Sequence, residues 1–358
     1  YEKAALAYEA AMRFDPEWPV PFRSLGRLYV SREAYRAAVA PLERASALAP
    51  EDPTIFALLR VAPRGASRPL EARAAFEAAW QLAPDSGELA LDVARARLES
   101  QDLTGAIAAA ERATELAPGE VQAWTMLGDV LLLSQTEDHL VRAPALYRRA
   151  IELRPEVPEL WLWLGKVYSD LALHAEAEEA ARTAIELGDD SDEALFALGK
   201  ALQAQSEFED VVEVMTRLIE QSPDHGRAYF VRGEVNFNLD RRADALADVV
   251  RAIELLPDDP GPLVTGTNIH LIQGNLEAAD AYAQRLIDLG TLAPQAALSM
   301  ARVRMRQGRT PEAIPLLEQA SAARLQELLE ADDRLGQALI QTWPLYTSDP
   351  SDEPLRLQ

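Results

Sequence analysis

Apolar and polar positions alternate along this chain with a helical beat. Within residues 19–52, Phe22, Leu25, Gly26 and Tyr29 form one stripe, and Ala38, Leu42 and Ala45 form a second. Residues three and four apart share a helix face, so the segment predicts two amphipathic helices with a polar turn between them. Pro50 closes the second helix, because proline cannot donate the next backbone hydrogen bond. The arrangement then recurs. Its closing markers are Pro16, Pro50, Pro84, Pro118, Pro155, Asp189, Pro223, Pro257 and Thr291, spaced 34, 34, 34, 37, 34, 34, 34 and 34 residues apart. A two-helix unit of this size cannot bury both of its apolar stripes by itself, so consecutive units must stack.

Starting each unit three residues after its marker places units at 19–52, 53–86, 87–120, 121–157, 158–191, 192–225, 226–259, 260–293 and 294–327. The same positions refill with the same residue types. Trp124, Leu127, Gly128, Ala143, Tyr147, Ala150 and Pro155 form one set. Trp161, Leu164, Gly165, Tyr168, Ala177, Ala181 and Ala184 form another. Leu195, Leu198, Gly199 and Leu202, and then Tyr229, Gly233, Ala245, Ala252 and Pro257, continue the series. In this pattern the chain resembles the tetratricopeptide repeat (TPR) family over about residues 1–327. The resemblance implies an all-α fold, a right-handed superhelical solenoid of antiparallel helix pairs.

Departures from the pattern carry their own expectations. Residues 1–18 hold only a second helix, through Ala4, Tyr8, Ala11 and Pro16, and an unpartnered half-unit is expected to self-associate. In the unit at 53–86 the string PRGASRP interrupts the first helix. The three-residue insertion in 121–157 is expected within SQTEDHLVRAP, lengthening the turn between helices. After 294–327 no breaker follows, which predicts a capping helix at 328–343 with Glu330, Asp332, Asp333 and Gln337 on a polar outer face. Residues 344–358 lack helical periodicity and are expected to be a disordered tail, with a non-native origin also in view.

Charge and composition narrow the function. The chain has 35 Lys and Arg against 58 Asp and Glu, a net charge of −23, and no cysteine. Thiolate metal sites and disulfides are excluded. Nucleic acid and anionic membrane are disfavoured as partners, because both are held by Lys and Arg against phosphate. No apolar run is long enough to span a bilayer. The first residues include neither an initiator Met nor an apolar leader. The compartment therefore stays open, with the cytoplasm as the leading expectation and the periplasm as the alternative if a signal peptide precedes.

Candidate chemistry is sparse. His139, His174, His225 and His270 lie in different units and in no metal-ligand spacing. His270 occupies a packing position and reads as a core residue. The acidic string GDDSD at 188–192 lacks the remainder of a calcium loop and reads as a helix cap through Ser191 or Asp192. Neither phosphate-binding glycine motifs nor a distinguished carboxylate pair is present. The expectation is a non-catalytic chain with neither cofactor nor metal.

The family resemblance implies that positions 2, 5, 9 and 12 of each unit line the concave face. Position 5 reads Arg23, Ala57, Leu91, Thr125, Leu162, Phe196, Phe230, Val264 and Leu298. Position 9 reads Arg27, Val61, Arg95, Asp129, Lys166, Lys200, Glu234, Asn268 and Arg302. The candidate partner-binding residues are therefore Arg23, Arg27, Leu91, Arg95, Leu162, Lys166, Phe196, Lys200, Phe230 and Arg302. They describe an apolar strip beside basic residues, suited to protein or peptide segments with apolar and acidic side chains. Two other readings stay open: the cations pair locally with carboxylates of neighbouring helices, and the phenylalanines belong to the core. TPR units that clamp acidic chaperone tails combine Lys at position 5 with Asn at position 9, and no unit here does so. The expected role is a protein-interaction scaffold. The alternatives are the interaction arm of a larger enzyme and a bacterial envelope or secretion assembly factor.

Overall fold

The structure, a computed structural model, describes residues 2–49, isolated positions between 52 and 81, and residues 83–290 and 293–331. Every regular element among the described residues is an α-helix. In chain order these are α1 (Glu2–Phe14), α2 (Pro19–Val30), α3 (Tyr35–Leu48), α4 (Gly87–Glu99), α5 (Leu103–Leu116) and α6 (Val121–Ser134). Then come α7 (Glu137–Leu153), α8 (Pro158–Asp170), α9 (His174–Glu186), α10 (Asp192–Ala204), α11 (Phe208–Gln221) and α12 (Gly226–Asn238). The last are α13 (Arg242–Leu255), α14 (Pro260–Gln273), α15 (Leu276–Leu289), α16 (Ala293–Arg306) and α17 (Thr310–Ala331). The chain forms two compact units, Tyr1–Ala201 and Leu202–Gln358, with the boundary inside α10.

Within each unit the packing follows the predicted beat. In the first, α2 packs on α3, α4 on α5, α6 on α7 and α8 on α9. In the second, α12 packs on α13, α14 on α15 and α16 on α17. Each pair also meets the next, as α5 does α6 and α13 does α14. First helices of successive pairs touch as well: α4 with α6, α12 with α14, and α14 with α16. Small residues make this approach close. Ala106, Ala109, Ala110 and Ala113 are buried on α5, and Ala177, Ala180, Ala181 and Ala184 on α9. At Gly128 a Cβ would stand 2.7 Å from the Tyr147 ring, so glycine lets α6 lie against that fully buried aromatic.

The turn inside each pair has one repeated geometry. Glu33, Gln101, Gln135, Ala172, Ser206, Asp240, Gly274 and Gly308 all have φ between 52° and 75°. Each is the fifteenth residue of its unit, and six of them are not glycine. In most of these turns the next residue donates back across the helix end, for example Leu173 N–H to the Tyr168 carbonyl at 2.8 Å and Arg241 N–H to the Asn236 carbonyl at 2.8 Å. This left-handed stop satisfies carbonyls that the helix end leaves open.

Between successive repeats, side chains seal the joins. The Trp124 and Trp161 indoles donate to the carbonyls of Pro118 and Pro155, each at 2.9 Å, so the aromatic that opens a unit binds the proline that closes the previous one. Arg44, Arg112 and Arg251 reach Glu17, Asp85 and Asp224 at 2.8, 3.5 and 3.1 Å. Each carboxylate directly follows the preceding closing proline. These exposed pairs contribute little energy, on the order of 0–1 kcal/mol each, but they recur in register.

One expectation needs amendment. The insertion does not lengthen a turn: α6 and α7 are joined by Gln135 and Thr136 alone, while α7 has 17 residues against the usual 13 or 14. Three residues come close to one helical turn, so α7 absorbs them with its downstream face kept nearly in phase. α17 runs unbroken from Thr310 to Ala331. Residues 332–343 of the expected cap, the tail at 344–358 and the PRGASRP string at 63–69 lie outside the described residues.

Ala172 holds its left-handed conformation at a cost of about 1 kcal/mol that glycine would avoid. Ala172→Gly is expected to raise the denaturation midpoint, and Gly274→Ala to lower it. A lower midpoint for Ala172→Gly would show that the turn is unstrained.

Candidate functional site

The sequence-selected residues meet different environments. In the first compact unit, Leu91 and Leu162 are buried, 9% and 5% exposed. Leu91 packs with Ala90, Ala113 and Ala123, and Leu162 with Ala184 and Ala194. Both fill the seam between adjacent pairs, so little of either is left for a partner to touch. Arg23 pairs with Asp52, and Lys166 with Glu193. Arg95 lies 3.8 Å from the buried Asp92. Local pairing thus claims these three cations. Lys166 also stands 4.2 Å from the centroid of the exposed Trp163 ring. Arg27 and Lys200 are exposed, and Phe196 is half-buried.

In the second unit, Phe230 is half-buried, with its ring against Gly261. Arg302 is exposed and donates to Asn268 Oδ1 at 3.4 Å. It borders a cleft of about 430 Å³ between α12, α14 and α16. Phe237, Leu271, Ile272 and Met305 supply apolar walls, and Asn268, Arg302 and Arg306 supply polar ones. A smaller cleft of about 250 Å³ adjoins it, sharing Phe237 and Asn268 and adding Gln203, Glu234, Asn238 and Thr265. The cleft follows from the contacts between first helices, which bring positions 9, 12 and 13 of three successive units together. Of these lining residues, sequence reasoning selected only Arg302. The signal for Phe237, Leu271 and Met305 was the position-12 column. Ile272 and Arg306 stand one residue further, where neither periodicity nor family resemblance marks a groove.

Buried polar groups here serve packing. Arg232 binds Asp248 with two hydrogen bonds of 2.9 and 2.7 Å and donates a third, of 3.0 Å, to Thr216. Asn236 completes the group at 3.2 Å from Asp248, and the carboxylate raises the Arg232 pKa further. The Tyr147 hydroxyl donates to Asp129. Burial pushes the Asp129 carboxyl above its usual range, and burial together with the neighbouring aspartate pushes the tyrosine up as well. Ser191 caps α10 by accepting from Ala194 N–H at 3.2 Å, and His225 caps α12 by accepting from Ala228 N–H at 3.1 Å. His270 is buried edge-on to the Tyr282 ring at 5.1 Å, with Nδ1 unbonded among the described residues. No group of three or more metal-ligating side chains occurs among the described residues, and none of their helices is long and apolar enough to cross a membrane.

Family models described as Tetratricopeptide repeat match residues 64–132 and residues 142–192, 196–260 and 268–327. Together they cover most of the chain, which belongs to the tetratricopeptide repeat family. A tetratricopeptide repeat protein from Parabacteroides merdae aligns at TM-score 0.52 and 15% identity, over 69% of this chain and 98% of that one. The APC/C hetero-tetramer Cut9–Hcn1 aligns at TM-score 0.51 and 13% identity, over 75% of this chain and 52% of that one. At such identities the likeness is one of fold. No curated protein matches the sequence.

Burial lowers the His270 pKa below its ordinary 6.5. The unfolded chain then binds the proton more readily, so the stability contributed is full above about pH 6.5 and declines as pH falls toward the folded-state value. His270→Leu should flatten that part of the stability profile, read as denaturation midpoints across pH 5 to 7.5. An unchanged slope would mean that the ring is hydrated.

Proposed function

We propose that this protein is a non-catalytic interaction scaffold that presents the first helices of its repeats to segments of partner proteins. The observation that carries this reading is the open cleft between α12, α14 and α16, where three consecutive first helices expose apolar and polar side chains side by side. A preformed concave surface of this kind binds extended or helical segments without first having to order itself. Family membership supports the same class of role. The fold alone does not name the partner, because one repeat architecture serves many processes. The arm of a larger enzyme and the envelope or secretion factor are both special cases of this scaffold, distinguished by what is joined to it.

A second mode of contact has its own observation. α1 has no buried residue, and its Leu6 and Phe14 are 64% and 93% exposed. A helix with that much uncovered apolar surface favours association through residues 1–18.

Affinity capture with the full chain should recover partners that Ile272→Asp/Met305→Asp releases, because both side chains are exposed in the cleft. Retention of every partner by this variant would overturn the groove assignment. Leu6→Asp/Phe14→Asp should reduce self-association in sedimentation, and an unchanged distribution would dismiss the α1 contact.

A further inference from the structure

We infer that the cleft between α12, α14 and α16 accepts a partner segment bearing an acidic residue beside a bulky apolar one. The inference rests on the scaffold reading and narrows it to one site and one chemistry. Its first support is the arginine pattern of α16. Arg304 turns to Asp280 and Glu312 and is 15% exposed. Arg302 and Arg306 are four residues apart, share the opposite face and are exposed. Neither has a carboxylate partner among the described residues, and Arg302 makes only the long bond to Asn268. In a chain of net charge −23, where the groove cations Arg23, Arg95 and Lys166 are already paired, two adjacent guanidinium groups without a carboxylate among the described residues form a local positive site. An arriving carboxylate would gain charge-assisted hydrogen bonds there.

The second support is apolar. Ile272 and Met305 flank these arginines and remain 50% and 53% exposed. Their side chains offer a contact for one bulky apolar residue next to the acid, and methionine adapts to the shape of what it meets.

The test is fluorescence anisotropy of the full chain with a fluorescein-labelled peptide built on a Leu-Asp-Asp-Leu core. The expected result is saturable binding that weakens with salt and falls about ten-fold or more in Arg302→Glu/Arg306→Glu. Arg302→Gln/Arg306→Gln, which removes charge without adding repulsion, should fall in between, with unchanged thermal unfolding for both. Replacing both Asp of the probe by Asn should cost a similar factor. Equal binding of the neutral probe, or by the charge-swapped protein, would overturn the inference while leaving the scaffold reading in place. So would two other occupants. One is a second copy of the chain, seen as self-association lost in Arg302→Glu/Arg306→Glu. The other is the chain's own acidic C-terminal residues, seen as probe binding that emerges only in Asp349→Asn/Asp352→Asn/Glu353→Gln.

Discussion

A pair of amphipathic helices has two apolar faces, and its partner helix can cover only one of them. The other must be covered by the next pair. That requirement, repeated along the chain, accounts for buried alanines on second helices and for leucines such as Leu91 and Leu162 drawn into the seams, while glycine beneath Tyr147 lets the two helices of one pair close on each other. It also accounts for the interaction surface. Covering the outer faces brings first helices side by side, and the cleft is what their exposed positions leave between them. Stability and recognition therefore draw on the same contacts from opposite sides.

Polar chemistry is fitted around this apolar constraint. The tryptophan-to-proline hydrogen bonds and the arginine pairs with post-proline carboxylates link units without burying charge. Where charge is buried, as at Arg232 and Asp248, it is saturated by neighbours, which is the condition under which a buried ion pair is tolerated. The acidic excess lies mainly on surfaces where water screens it.

Much of the fold was legible because it is written locally. Periodic Leu, Gly, Ala and Pro placed the helices, and Ser191 and His270 took the cap and core positions that their contexts indicated. The candidate site was less legible, since it depends on residues far apart in sequence. Lys166 meets Glu193 and Arg23 meets Asp52, partners 27 and 29 residues away that no local pattern connects. Leu91 and Leu162 share a column with half-buried Phe196 and Phe230, so column membership did not separate seam from surface. The position-15 turn was also hidden, because its left-handed conformation is imposed by the two helices it joins, and most of its residues are not glycine.

The lengthened α7 has a consequence for how such an array can change. Three added residues rotate the helix by roughly 300°, about 60° short of a full circle, while extending it by about 4.5 Å. The inward stripe of α7 still carries the buried Ala143, Tyr147 and Ala150, and its added first turn bonds the end of α6 through His139 and Ser134. Near-integral turns are thus the unit in which this architecture can grow: one repeat can lengthen a helix without disturbing the register of those that follow.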